Sequence, residues 1–371
     1  MKPNIIFILL DGSRFDRINS SPEFMELLKK GTLVNNVTTS MPYTFGAINT
    51  ILTGQYGKEN GVDGYYKVAN HKSNVPLLSE ILEQNGYFTA RGLINNKILS
   101  TRGFQITEEF DEYEQDLNIK HPELIKSAFS KAGGKPVFIL LQFTRIHTIT
   151  VTKVLKKFDW DDQKFYDNQE ENMKNYESVF IEAGNYSKKI LDTINELGVS
   201  DNSIIVFFSD HGTGIGERFG ERNYGSFTYD ETIRTYYHFI GKCIRKNNSS
   251  DSLISSIDIL PTILDLSEII SPTKLPGQSF AKFLTGGESF LKENDYTFSE
   301  TGALHGPYPS PEKSNVFSIK TSTHKLIFLK DQDEWLLYDL QNDPKELNNL
   351  FGNKLSIENL LKEKLLEWVN R

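Results

Sequence analysis

Four side chains in this sequence have the types and settings to do chemistry together: Asp11, Thr44, Asp210 and His211. Asp11 follows directly on an apolar run, residues 5–10, in the stretch Leu10-Asp11-Gly12-Ser13-Arg14-Phe15-Asp16. The same setting recurs after residues 203–208, where the chain reads Ser209-Asp210-His211-Gly212. In an open parallel sheet, ligands bind outside the carboxyl ends of the strands, so both segments point to one edge. Two aspartates and an imidazole suit one divalent metal ion: Mn, Mg, Ca or Zn. Read alone, an Asp-His-Gly turn is equally a place for capping and turn hydrogen bonds.

Thr44 opens a different pattern. After Pro42 the residues turn helical, with Phe45, Ile48, Ile51 and Leu52 on one side and Gly54 as the stop. Thr44 thus falls at or next to the N-cap, where threonine is favoured for its bond to an orphan amide. The same geometry has a sharper use, because a helix N-terminus stabilises negative charge and binds phosphate or sulfate. A hydroxyl placed there beside a divalent cation is a usable nucleophile.

The elements that must hold these groups are legible as alternating runs. Residues 5–10, 136–143 and 203–208 are continuous apolar stretches, as expected of central strands covered on both faces. Between them lie helical stretches, residues 75–85 ending at Gly86 and residues 186–197 ending at Gly198. Alternation of this kind predicts a doubly wound α/β layer structure. Near residue 306 the texture changes to short strands, 316–321, 325–329 and 335–340, followed by a helix over 356–369. We therefore expect a large α/β domain over 1–305 and a small antiparallel α+β subdomain over 306–371. Residues 156–175, polar and aromatic without a clear period, are expected to run over the surface.

The composition is that of a globular chain: 371 residues, 38% hydrophobic, net charge −8. That balance speaks against a nucleic-acid surface, while leaving room for a local basic cleft. A single cysteine, Cys243, excludes an intrachain disulfide. The six apolar residues 5–10 are too short for a membrane span, and without a small-residue cleavage site they do not read as a signal peptide. The expectation is a cytoplasmic protein with no membrane span.

Taken together, these segments resemble the sulfatase-like proteins of the alkaline phosphatase and sulfatase superfamily. The stretch from Leu10 to Asp16 is similar to that family's opening metal segment, residues 44–54 to its nucleophile segment, and residues 209–212 to its second metal segment. Further matches follow in the family's order: Tyr229-Asp230-Glu231, residues 257–262, and residues 337–344 reading Leu-Tyr-Asp-Leu-Gln-Asn-Asp-Pro. The resemblance implies an alkaline phosphatase-like α/β/α sandwich with a mostly parallel central sheet and a small C-terminal antiparallel sheet and helix. It further implies one divalent ion on Asp11, Thr44, Asp210 and His211, and a small-molecule or glycan-linked phosphate or sulfate ester as substrate.

Departures from the family refine the expectation. Sulfatases proper carry a cysteine or serine converted to formylglycine and followed by Pro-Ser-Arg. Here the matching positions hold Thr44, Gly46, Ala47 and Ile48. Ser40 offers a rival register, but it places Thr50 rather than Gly54 at the closing glycine, so Thr44 is preferred. Gly12 stands where the family often has a second aspartate, and Tyr224 where relatives often have His or Lys. No second metal trio is evident, so the set is close to the one-metal arrangement of the lipoteichoic acid synthases and phosphoethanolamine transferases.

His147 falls where many relatives place a substrate-contacting histidine, and packing at a strand end is its plainer reading. His305 is a weaker candidate, and His71, His121, His238 and His324 are read as structural or surface residues. Arg14 and Arg218, closer to the metal segments than Arg145 and Arg222, are the expected anion clamps. A threonine nucleophile favours phosphoryl over sulfuryl chemistry. The alternative is a non-catalytic relative that binds an anionic glycan or polymer head group.

Overall fold

The apolar run ahead of Asp11 becomes β1 (Asn4–Leu10), buried at every position. The computed structural model describes residues 2–65, 67, 70–95, 97–111, 114–147, 160–287, 295–304 and 306–371. Further strands are β2 (Thr32–Thr38), β3 (Phe88–Leu93), β4 (Ile106–Glu109), β5 (Val137–Phe143) and β6 (Ser203–Phe208). They are followed by β7 (Arg234–Gly241), β8 (Asn248–Ser250) and β9 (Ile254–Ser255). Together they make one sheet in the order β4-β3-β5-β1-β6-β7-β2-β8, with β9 beside β2. The pairs β3–β4, β3–β5, β1–β5 and β1–β6 are parallel, and β7 runs antiparallel to both β6 and β2.

Strand geometry sends alternate side chains to opposite faces. From β1, Ile5, Phe7 and Leu9 join one core, under the helices Thr44–Thr53, Leu78–Gln84 and Ile259–Leu266. Ile6, Ile8 and Leu10 join the other, under the helices Pro22–Leu28, Leu117–Ala132 and Gln169–Glu196. This is the expected α/β/α sandwich.

The helix Gln169–Glu196 corrects one expectation. Residues 169–175, placed on a surface excursion by the sequence, are its first two turns. Their inward face is sparse, Asn172 and then Tyr176, before the denser Val179, Phe180, Ala183 and Tyr186. Long exposed polar residues hide the period there. Residues 163–167 form a further helical turn; residues 156–159 of that segment lie outside the described residues.

The C-terminal part is a four-stranded antiparallel sheet, β10 (Thr297–Thr301), β11 (Val316–Lys320), β12 (His324–Leu329) and β13 (Glu334–Asp339). The helix Ser356–Val369 covers it through Leu361, Leu365 and Trp368. Its first strand begins ahead of residue 306, and β10 is tied to the large sheet's side of the molecule. The Glu300 amide donates to the Ser40 carbonyl at 2.8 Å, and Ser299 Oγ donates to the Thr39 carbonyl. Among the described residues, no helix is long and apolar enough to cross a membrane.

Candidate metal centre and nucleophile

β1 and β6 are neighbours in register, Leu9 opposite Phe208, so the residues that follow them emerge side by side. Asp11, Asp210 and His211 converge there, all buried, with one ligand atom from each lying within 4.8 Å of the others. Ligand bonds of about 2.0–2.6 Å to a shared ion require separations of this size. Thr44 joins them from the facing helix. Its hydroxyl lies 3.3 Å from both Asp11 carboxylate oxygens and 3.2 Å from His211 Nε2.

The hydrogen bonds around the cluster leave lone pairs facing inward. His211 Nδ1 is 2.7 Å from the Gly212 carbonyl, which can only accept, so the imidazole proton sits on Nδ1. Nε2 then presents its lone pair 3.5 Å from Asp11 Oδ1 and 3.6 Å from Asp210 Oδ2. Asp210 Oδ1 accepts the His211 and Gly12 amides, at 2.9 and 3.3 Å. Its other oxygen, Oδ2, is buried with no hydrogen-bond partner. A buried carboxylate oxygen without a partner is costly, and a divalent cation removes that cost. By donor chemistry, tautomer and this orphaned oxygen, the residues fit a divalent ion.

Thr44 is the first residue of its helix rather than the cap. Tyr43 holds the N-cap position in extended conformation, without a side-chain capping bond. The Thr44 hydroxyl is therefore free of capping duty and turned onto the cluster. The helix closes at Gly54, whose φ of 62° is the left-handed stop expected from the sequence. Gly46 answers to packing, since a Cβ there would lie 2.1 Å from Met41 Sδ. Ser40, the rival nucleophile, makes no hydrogen bond to the cluster: its amide bonds Ser256 Oγ at 3.1 Å, its carbonyl accepts from β10, and its hydroxyl is buried without a partner.

His147 reaches the site as part of an aromatic wall. Its Nε2 is 2.5 Å from the Tyr224 hydroxyl, and the Tyr224 ring lies 4.6 Å from the His211 ring. Burial, with Tyr65, Asp11 and Asp210 nearby, holds the Tyr224 phenol well above its usual range, so it stays protonated. At Gly12, with φ of 72°, a Cβ would meet Thr213 Oγ1 at 2.9 Å. The space of the missing second aspartate is thus taken by Thr213, which donates to the Gly12 carbonyl at 2.7 Å.

The arginines depart from expectation. Arg14 is buried and bonded to Asp16 at 2.9 Å, to Glu217 and to the Thr213 carbonyl. Burial works against its charge, and Glu217 and Asp16 outweigh that, raising its pKa above the ordinary value. Arg218 pairs with Glu231 at 2.9 Å and donates to the carbonyls of Lys345 and Glu346. Both guanidinium groups are committed to protein partners and are not open anion clamps. Arg145 reaches Glu182 at 3.5 Å, and Arg222 lies over the Phe165 ring. His305 lies outside the described residues.

One functional neighbour escaped the sequence reading. Gln142, near the end of β5, donates to Asp11 Oδ2 at 2.6 Å. Its signal was present as a lone amide in an otherwise apolar run.

Comparison with known proteins places the chain by family and fold. The family model described as Sulfatase matches residues 3–269, and one described as N-sulphoglucosamine sulphohydrolase, C-terminal, matches residues 221–371. The N-acetylglucosamine-6-O-sulfatase of Bacteroides thetaiotaomicron is 30% identical over 189 residues, 48% of this chain and 32% of that protein. The chain therefore spans about a third of that relative's length. The Arylsulfatase of Clostridium perfringens is 23% identical over 95% of this chain and 91% of its own length. Among solved structures, a 2-O GAG sulfatase superposes with a TM-score of 0.81 at 18% identity, covering 100% of this chain and 92% of that one. The phosphonate monoester hydrolase of Agrobacterium radiobacter gives 0.77 at 18% identity, covering 99% and 95%. With a family model matched across most of its length and the strand-end cluster in place, the chain belongs to the sulfatase family.

Proposed function

We propose that this chain is a divalent-metal-dependent ester hydrolase in which Thr44 is the nucleophile. The observation that carries the reading is the Thr44 hydroxyl, 3.2–3.3 Å from Asp11 and His211 and turned away from any cap. A divalent ion held by Asp11, Asp210, His211 and Thr44 would lower the proton affinity of that hydroxyl and offset charge on the reacting group. Asp11 accepts the hydroxyl's hydrogen bond and aims the oxygen at phosphorus or sulfur. Amides of the first helical turn, which have no partner inside the helix, orient the anion. As Thr44 Oγ forms the new ester bond its proton passes to Asp11, the bond to the leaving alkoxide breaks, and His147 gives that alkoxide the proton it takes. Water then cleaves the threonine ester and releases the inorganic anion. Arg14 and Arg218 serve as scaffold for the segments that carry the ligands.

Phosphate esters are the favoured substrates, because threonine cannot become the aldehyde on which sulfatases proper rely. The names of the relatives point instead to sulfated sugars, while the phosphonate monoester hydrolase shows that the fold also carries phosphorus chemistry. The test is a screen of aryl phosphates, phosphodiesters, phosphonates and sulfated glucosamines with Mn, Mg, Ca and Zn in turn. A slow substrate should leave its phosphate on Thr44. Turnover of sulfate esters alone would move the substrate class and leave the nucleophile standing; a label on Ser40 would remove Thr44. The second reading, a non-catalytic anion binder, draws on Ile48, Gly12 and Tyr224 standing where the family has Arg, Asp and His or Lys. It predicts anion binding with no turnover under any metal.

A further inference from the structure

The C-terminal sheet reaches the metal centre through buried charge. Lys325 on β12 is fully buried. Its Nζ donates to Asp230 Oδ1 at 2.5 Å and to the Thr228 carbonyl at 3.3 Å, and pairs with Glu346 Oε1 at 2.8 Å. Lys320 on β11 donates to both Asp230 oxygens, at 3.0 and 2.9 Å. Glu346 Oε2 in turn accepts the Asp230 amide at 2.8 Å. The neighbouring Glu231 is held by Arg218, whose remaining donors go to the carbonyls of Lys345 and Glu346.

The segment gripped in this way, residues 228–232, lies directly against the metal-ligand turn. The Gly212 amide donates to the Thr232 carbonyl at 2.8 Å. A Cβ on Gly212 would lie 2.1 Å from the Glu231 carbonyl oxygen, so only glycine permits this approach. The Gly212 carbonyl is the acceptor that fixes the His211 proton on Nδ1.

We infer that Lys320, Lys325, Asp230 and Glu346 are positioning residues for the metal centre. Their cluster fixes residues 228–232, that segment fixes Gly212, and Gly212 sets the tautomer and ring direction of His211. A buried ion cluster adds little net stability over well-packed apolar residues, so stability alone does not account for it. What it supplies is direction, because short charged hydrogen bonds fix where a backbone segment lies and apolar contacts do not. Outer partners that orient a ligating histidine are known to matter in this way. The inference rests on His211 as a metal ligand.

The experiment compares Lys325→Met with Leu365→Ala, which hollows the core under the C-terminal helix and touches none of these groups. Two readouts are taken: Mn2+ affinity by calorimetry, and hydrogen exchange of the Gly212 amide in metal-free protein. Lys325→Met should weaken Mn2+ binding about 10–100-fold and speed Gly212 exchange. Leu365→Ala should lower the Tm while leaving both readouts near wild type, and Lys325→Arg should restore part of each. If Lys325→Met does not fold, Lys320→Met, which leaves Lys325 on Asp230, carries the same readouts. Lysine variants that match Leu365→Ala in both measurements would overturn the inference. A wild-type protein that binds no Mn2+ would remove the metal-ligand reading, and Gly212 exchange would still decide the positioning role.

Discussion

Two buried acidic centres stand at the two ends of residues 210–230, and the chain treats them in opposite ways. At Asp230, both carboxylate oxygens are met by lysine ammonium groups. At Asp210, one oxygen takes backbone amides and the other, Oδ2, takes nothing from the protein. Burial pushes the Asp230 carboxyl up, but Lys320 and Lys325 pull harder and hold it below its usual range. Where the chain supplies its own counter-charge, the carboxylate is architecture. Where it leaves a buried oxygen unmet beside Asp11 and His211, the arrangement fits a divalent cation. Glu300 shows a third treatment: burial pushes its carboxyl up to about 7, so a proton is held there through the acid range and released around neutral pH.

The largest effect expected is on activity. Thr44→Ala should reduce turnover by orders of magnitude in a steady-state assay. Because Thr44 makes no capping bond, the usual cap penalty of about 1 kcal/mol should be absent from its denaturation curve. Asp210→Asn should abolish Mn2+ binding by calorimetry while the Tm of metal-free protein holds or rises, since an orphaned buried charge is removed. A large fall in its metal-free Tm would erase the contrast with Asp230.

Asp230→Asn should do the reverse, leaving Lys320 and Lys325 short of a partner and costing about 3–5 kcal/mol in urea denaturation. Glu300 provides a pH test. Its folded pKa lies above the unfolded carboxyl value near 4.5, so the folded state binds more protons between about pH 4.5 and 7. Stability must fall as pH rises through that window, by an amount on the order of 2–3 kcal/mol. Glu300→Gln should flatten that part of the pH profile. Gly46→Ala, which forces Met41 to move, is expected to cost about 1–3 kcal/mol and should be read by thermal unfolding.

Much of this was legible in the sequence because the chemistry sits where periodic elements end. Residues 5–10, 136–143 and 203–208 could hardly be anything but central strands, and the acids that follow two of them needed no further placement. Three C-terminal strands, β11, β12 and β13, were readable from alternation between polar turns while β10 was missed, and Gly54 fixed the length of the Thr44 helix. The early turns of Gln169–Glu196 were lost because Asn172 and Tyr176 are polar or amphipathic residues on the buried face. Arg14 and Arg218 were misjudged because position along the chain shows proximity to a site but not prior commitment. The carboxylates that occupy them, Glu217 in the loop after β6 and Glu231 in the short helix Asp230–Ile233, gave no periodic signal. Likewise, nothing local marks Lys325 as buried in an ion cluster, since its partners come from residues 230 and 346.

The placement of β1 has a consequence for how the molecule is made. Its neighbours on either side are β5 and β6, supplied by residues 137–143 and 203–208. At ribosomal speeds of about 5–20 residues per second, the first strand waits roughly 10–40 s for both partners to be synthesised. Until residue 143 is made, Ile5, Ile6, Phe7, Ile8, Leu9 and Leu10 lack a partner on either edge, and the edge that β6 covers stays open until residue 208. An apolar segment left open in this way is the kind that pairs with other chains. Asp11 cannot meet Asp210 and His211 before the same moment. The nascent chain thus carries an open apolar strand with Asp11 just beyond it, and the emergence of β6 covers the one as it brings Asp210 and His211 to the other.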